Sequence, residues 1–199
     1  MWQRLTFHPL DTTILTVHGG HFLAILEHAL GSFKEVTASS TVRFPTCALL
    51  DGTGSPTGEL VPVTSPDQVA LVGTLASGVF VTIHIRAGLP ATGAHGAGRK
   101  LFQWIIDGEE GTVEVTNRPE DKDMGAFFTL TEKDVHLNGE KVDLEETEVD
   151  ELGQTGKAWW EFAKEQGDAK YTTIADAVRI HTVVDAAQRS IQVGERIVL

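Results

Sequence analysis

Apolar residues recur at spacings of three and four through Phe22, Ile25, Leu26, Ala29 and Leu30, and Gly31 follows them. The pattern predicts an amphipathic helix with one buried face and a glycine at its C-terminal cap. Residues 1–16 show no clear period and end in Thr12-Thr13-Ile14-Leu15-Thr16, which predicts an extended lead into that helix. Phe33–Phe44 is rich in β-branched residues and stops at Pro45, so it reads as a strand. Asp51–Gly58 consists of turn formers and reads as an exposed loop.

Gln68–Leu75 and Val79–Arg86 are two apolar, β-prone runs around Ala76-Ser77-Gly78, which predicts a hairpin at the centre of the sheet. In its second strand the period of two places Thr82, His84 and Arg86 on one face and Val81, Ile83 and Ile85 on the other. Leu101–Ile106 and Thr112–Thr116 flank the turn Asp107-Gly108-Glu109-Glu110-Gly111; Phe127–Thr131 and Val135–Val142, around Asn138-Gly139, add short strands. Two helices close the chain. Gly156–Gln166 carries Trp159, Trp160 and Phe162, and Thr173–Val193 ends at Gly194. The second has the stripe Ile174, Ala177, Val178, His181, Val184, Asp185, Gln188 and Ile191, broken by polar members. These elements predict an α+β fold, a large, mostly antiparallel open sheet with helices packed on one face.

At 199 residues the chain is long enough for one well-buried core, and a single domain over 1–199 is expected. A net charge of -12 from 16 basic and 28 acidic residues, with no basic stripe, argues against nucleic acid as a partner. The acidic run Glu140–Glu151 reads as a solvated connection; it lacks the spacing of a calcium loop and contains no histidine. The lone Cys47 excludes an intramolecular disulfide, fits a reducing compartment and reads as a small buried apolar residue. There is no basic-then-apolar leader and no apolar run of the roughly 18 residues that a membrane helix needs. A soluble, cytoplasmic protein without membrane contact is therefore expected. Ala87–Gly98 is glycine-rich but lacks the strand-then-helix context of a phosphate cradle, so it reads as a mobile loop.

Chemistry concentrates where the first helix begins, at Val17-His18-Gly19-Gly20-His21-Phe22. A histidine there can act as acid, base or hydrogen-bond donor near neutral pH, or simply satisfy a backbone group. His28, two turns after His21, reads as structural. His84 and Arg86 share a strand face that suits either a pocket polarising a carbonyl or a polar dimer surface. Trp104, on a strand, is a candidate pocket wall, whereas Trp159 and Trp160 read as core or interface. His18 and His21 lack the spacing of a metal-binding helix motif, and no carboxylate ligand stands beside them, so no metal is expected.

Four stretches carry a resemblance: Gly19-Gly20-His21-Phe22-Leu23; Gly108-Glu109-Glu110-Gly111-Thr112-Val113-Glu114-Val115; Thr173–His181; and Asp185–Ser190 with Gly194–Leu199. In this order they resemble the C-terminal domain of the Gfo/Idh/MocA oxidoreductase family, in the fungal branch that includes the yeast galactose-pathway repressor. The resemblance runs from about Thr13 to Leu199. In that family a Rossmann domain with Gly-x-Gly-x-x-Gly precedes this part; no such segment occurs here, so the resemblance implies a stand-alone substrate domain without NAD(P). The family motif Asp-x-Gly-x-His falls on Val17, Gly19 and His21. It implies proton transfer at His21, with His18 as a second catalytic candidate, but without the carboxylate that would orient the histidine.

The resemblance also implies a homodimer through the sheet face, with a pocket near His21 closed by the glycine-rich loop; Phe22, His84, Arg86 and Trp104 are the candidates for binding a small-molecule substrate. The expected activity is a cofactor-independent isomerase or cyclase, of Diels-Alder type, acting on a small apolar metabolite of specialised metabolism, with histidine or arginine hydrogen-bonded to a substrate carbonyl. The alternatives are a non-catalytic ligand-binding or regulatory module, and a partner subunit of a separate Rossmann oxidoreductase.

Overall fold

The computed structural model describes residues 13–88, 100–117, 133–143, 153–164 and 171–199. In chain order, a π-helical turn (Leu15–Gly19) leads into α1 (Gly20–Leu30), followed by β1 (Phe33–Thr41), β2 (Thr46–Leu50), β3 (Pro56–Pro62), β4 (Gln68–Leu75) and β5 (Phe80–Arg86). Then come β6 (Gln103–Gly108), β7 (Gly111–Asn117), β8 (Lys133–Leu137), β9 (Glu140–Val142), α2 (Gly153–Phe162), α3 (Ile174–Val193) and β10 (Ile197–Val198). The chain divides into two compact units, Met1–Leu89 with Thr173–Leu199, and Pro90–Thr172. All strand pairings among the described residues are antiparallel, and the fold is α+β.

In the first unit the sheet order is β10-β1-β4-β5. The β4–β5 hairpin forms where the apolar runs predict it, but β5 is an edge strand rather than a central one. Period-two alternation sends Val36, Ala38, Val69, Leu71, Leu75, Val81 and Ile85 to one buried face. That face is covered by α1 and α3. From α1, Leu23 and Leu26 are buried, while Phe22 and Ile25 are half-buried and Ala29 is exposed.

From α3 the buried residues are Ile180, Val183, Val184, Ala186, Ala187 and Ser190. The stripe starting at Ile174 is therefore not the core face; Val184 alone belongs to both sets, and Ile174, Ala177, Val178, His181 and Asp185 are exposed. Small residues decide the matter. Ala186, Ala187 and Ser190 let the helix lie close on β1, where the Ala38 N–H donates to Ser190 Oγ (2.8 Å) and the Ser190 hydroxyl donates to the Glu195 carbonyl (2.6 Å). α3 starts at Thr173 with a capping box shared with Asp176 and ends at Gly194, whose φ of 73° supplies the left-handed cap.

Two further departures from the sequence reading lie in this unit. β1 stops at Thr41, because the Asp67 carboxylate takes the N–H groups of Arg43 (2.9 Å) and Phe44 (2.8 Å) and turns the chain. Residues 46–62, read in part as loop, form the hairpin β2–β3, whose tip is tied by Asp51 Oδ1 accepting from Thr53 and Ser55 N–H. The extended lead is also corrected: its last two residues, Leu15 and Thr16, enter the π turn.

The second unit carries the meander β6-β7-β8-β9. The β8–β9 turn is Asn138-Gly139, as the sequence predicts. Its cross-strand pairs place Glu114 opposite both Ile105 and His136, with Lys100 and Gln103 donating to the Glu114 carboxylate at 2.7 and 2.9 Å. Trp159, Trp160 and Phe162 of α2 are exposed, not core residues. The strand expected at Phe127–Thr131 and most of the glycine-rich loop and acidic run lie outside the described residues.

Candidate functional site at the opening of the first helix

The π turn is built on hydrogen bonds one residue longer than those of an α-helix: the Gly19 N–H donates to the Ile14 carbonyl at 2.9 Å. Such turns are rare and recur at functional sites. Gly19 is closely packed. A Cβ there would stand 3.0 Å from Leu15 Cδ1 and 3.1 Å from Ile85 Cδ1, so the turn lies close against β5 and either side chain would have to shift to admit a methyl group. At Gly20 a Cβ would meet nothing within 4 Å.

This turn separates the two histidines by environment. His18 is 5% exposed, and burial together with the neighbouring His21 holds its pKa below the ordinary histidine value of 6.5. His18 is thus the neutral member at physiological pH. His21, in the first turn of α1, is exposed to solvent. Phe22, beside it, lines a narrow gap of about 10 Å³ with Leu15, Gly19, Leu23, Val69, Leu71, Ile83 and Ile85. That gap is a packing seam, too small for a metabolite. Val17, at the position where the family motif has aspartate, is half-buried.

The remaining candidates stand elsewhere. Ile83 and Ile85 face α1, so His84 and Arg86 project from the opposite, open face of the sheet, with Ala70 opposite His84 and Gln68 opposite Arg86 in the register. The structure brings His18, His21 and Phe22 together and sets His84 and Arg86 on the other side. The dimer surface expected from sequence would use this open face, together with Thr37, Ser39, Val72 and Thr82. Trp104 is half-buried on β6 in the second unit. His28, in the last turn of α1, is exposed where a cation is favoured by the helix dipole.

The sequence reading missed Glu27 and Arg179. Glu27 is buried in α1, where its Oε1 accepts the Phe33 N–H (2.9 Å) and its Oε2 accepts from Arg179 Nε of α3 (2.8 Å). Arg179 also donates to Asp176 Oδ1 at 2.9 Å. Hydrogen bonds from Thr173 and then the Arg179 guanidinium hold the Asp176 carboxyl down at about 2. The only local signal was Thr173-x-x-Asp176, a capping-box spacing.

Next to this network, Ile174, Ala177, Val178, His181, Thr182 and Asp185 line an open, mostly apolar groove of about 420 Å³ along the outer face of α3. Ile174 is 85% and Val178 61% exposed. No cluster of three histidine, cysteine or acidic side chains suited to a metal occurs among the described residues. Nor do those residues fit a nicotinamide dinucleotide, since their strands pair only antiparallel and none feeds a glycine turn into a helix N-terminus. No helix among them is long and apolar enough to cross a membrane.

Comparison with known proteins agrees with the α+β fold. A family model described as the Gal80p C-terminal domain matches residues 10–117. The dehydrogenase AclE of Aspergillus oryzae is 29% identical over 201 residues, covering 94% of this chain and 50% of AclE. The galactose/lactose metabolism regulatory protein GAL80 of Kluyveromyces lactis is 32% identical over 108 residues, covering 49% of this chain and 23% of GAL80. Among solved structures, a super-repressor mutant of Gal80p from Saccharomyces cerevisiae superimposes with a TM-score of 0.68 at 21% identity, over 94% of this chain and 49% of that one. The chain thus spans half or less of the length of these relatives.

Proposed function

This chain belongs to the Gal80p C-terminal domain-like family, within the Gfo/Idh/MocA oxidoreductase fold, and from that premise we propose that it is the substrate-handling half of an enzyme of specialised metabolism in which His21 exchanges a proton with a substrate oxygen. The observation that carries this reading is the division of labour at the π turn: His21 is solvent-accessible while His18 is buried and neutral beside it. An imidazole that reaches solvent can meet a substrate oxygen directly, which is the first requirement of a general acid or base. His18, three residues earlier, is close enough to His21 for the two to affect each other electrostatically, while Val17 offers no carboxylate.

Cyclisation without a cofactor, the activity expected from sequence, requires an apolar chamber around the reacting conformer. The seam of about 10 Å³ that Phe22 lines is too small for such a chamber, which supports an open site completed by another surface. The apolar groove of α3 is such a contact surface, because large exposed aliphatic residues in a row mark an interaction site. A nucleotide-binding half, of the kind the family resemblance implies for its longer members, is the occupant that fits this reading.

The test is conversion of metabolites in fungal extracts by the purified protein, with and without added NADH or NADPH. His21→Ala is expected to slow product formation by about 10²- to 10⁴-fold, the usual contribution of a positioned acid or base. Equal rates for wild type and His21→Ala would contradict the assignment.

A further inference from the structure

We propose that Glu27 is a positioning residue for His21, holding the helix that carries it at a fixed angle to α3; this rests on the role assigned to His21 above. The side chain of Glu27 is 1% exposed, a costly place for a carboxylate unless both oxygens are bonded. Both are. One oxygen takes the Phe33 N–H at the start of β1, and the other takes Nε of Arg179. Arg179 passes the connection to Asp176, and Asp176 Oδ2 accepts from the Thr173 N–H (2.9 Å) and hydroxyl (2.6 Å). The C-terminal part of α1, the first residue of β1 and the first turn of α3 are thereby tied into one chain of charge-assisted hydrogen bonds.

An aliphatic residue at position 27 would also seal α1 onto the core, but apolar contact is non-directional. Charge-assisted hydrogen bonds fix direction as well as distance. α1 has only 11 residues. At its N-terminal end the π turn is pressed on Ile85 at Gly19, and at its C-terminal end Glu27 supplies the second anchor. His21 stands in the first turn of α1, so the axis of α1 sets where its backbone lies.

The experiment is a spin-label distance measurement between Gly20→Cys, where a side chain meets open space, and Arg189→Cys on the exposed side of α3, in a Cys47→Ser background. The parent is expected to give one narrow distance distribution. Glu27→Gln should broaden it and move it to longer separations, and Arg179→Gln should do the same from the surface side should Glu27→Gln fail to fold. Arg179→Lys, which keeps the charge, should retain most of the parent distribution. A Glu27→Gln or Arg179→Gln protein that melts earlier but keeps the parent distribution would overturn the proposal, since lost stability alone does not move the label. Because the readout is a distance, that outcome leaves the His21 assignment standing, and full turnover by His21→Ala would in turn leave the distance result untouched.

Discussion

At Gly19 a methyl group would crowd the ends of the Leu15 and Ile85 side chains, whereas at Gly20 it would meet open space. Gly20→Ala is expected to stabilise by about 0.4–1 kcal/mol by restricting the unfolded chain. Gly19→Ala should gain less, because Leu15 and Ile85 must shift to admit the Cβ; urea denaturation of the two variants reads the order. His18 gives a prediction in pH. Its pKa in the fold lies below the ordinary 6.5, so below pH 6.5 the unfolded chain takes up a proton that the folded chain refuses. The His18 contribution is unimpaired above that pH, falls as pH drops from 6.5 toward the folded value, and levels off below it. The difference in unfolding free energy between wild type and His18→Gln should therefore depend on pH only in that window, with a slope of at most about 1.4 kcal/mol per pH unit. A difference that stays flat from pH 7 downwards would remove the buried, neutral histidine from the account. At this scale the sequence singled out His18, Gly19 and His21, and the structure sets all three at one turn. It carried no sign of the π register, because the one-residue-longer hydrogen bond depends on the contact with β5 rather than on any local residue preference.

At the scale of elements, the β4–β5 hairpin was legible because its alternation is bounded by turn residues on a continuous stretch of chain. The faces of α3 were not. Aliphatic residues occur all round its first half, so two stripes satisfy the helical period, and the choice falls to Ala186, Ala187 and Ser190, which let β1 approach. Glu27 was invisible for a similar reason, its partner Arg179 lying 152 residues away. Strands β2 and β3 escaped notice because they are short and β3 both begins and ends at proline, which lowers strand propensity. The exposed stripe left on α3 yields its own prediction. Ile174→Glu should change unfolding free energy by no more than about 0.5 kcal/mol, as expected for a surface position. The same variant should weaken association with a co-expressed nucleotide-binding half of the Gfo/Idh/MocA type, measured by co-purification; undiminished association would rule out the groove as the contact surface.

Across the whole chain, the family resemblance and the α+β class were readable in sequence, since they depend on local periodicity and on motifs in order. What sequence could not supply was sidedness. His21, His84 and Arg86 read as members of one pocket, yet the sheet stands between them: the helix layer carries His21 on one side, and the open face of β5 carries His84 and Arg86 on the other. The account therefore places substrate on the helix side. Amide hydrogen exchange with and without the metabolite that the turnover assay identifies tests this most directly. The account predicts that slowed exchange concentrates in residues 15–25 and at the start of α3, with Thr82–Arg86 unchanged. Protection confined to Thr82–Arg86 and the facing β4 residues, with α1 unaffected, would contradict it.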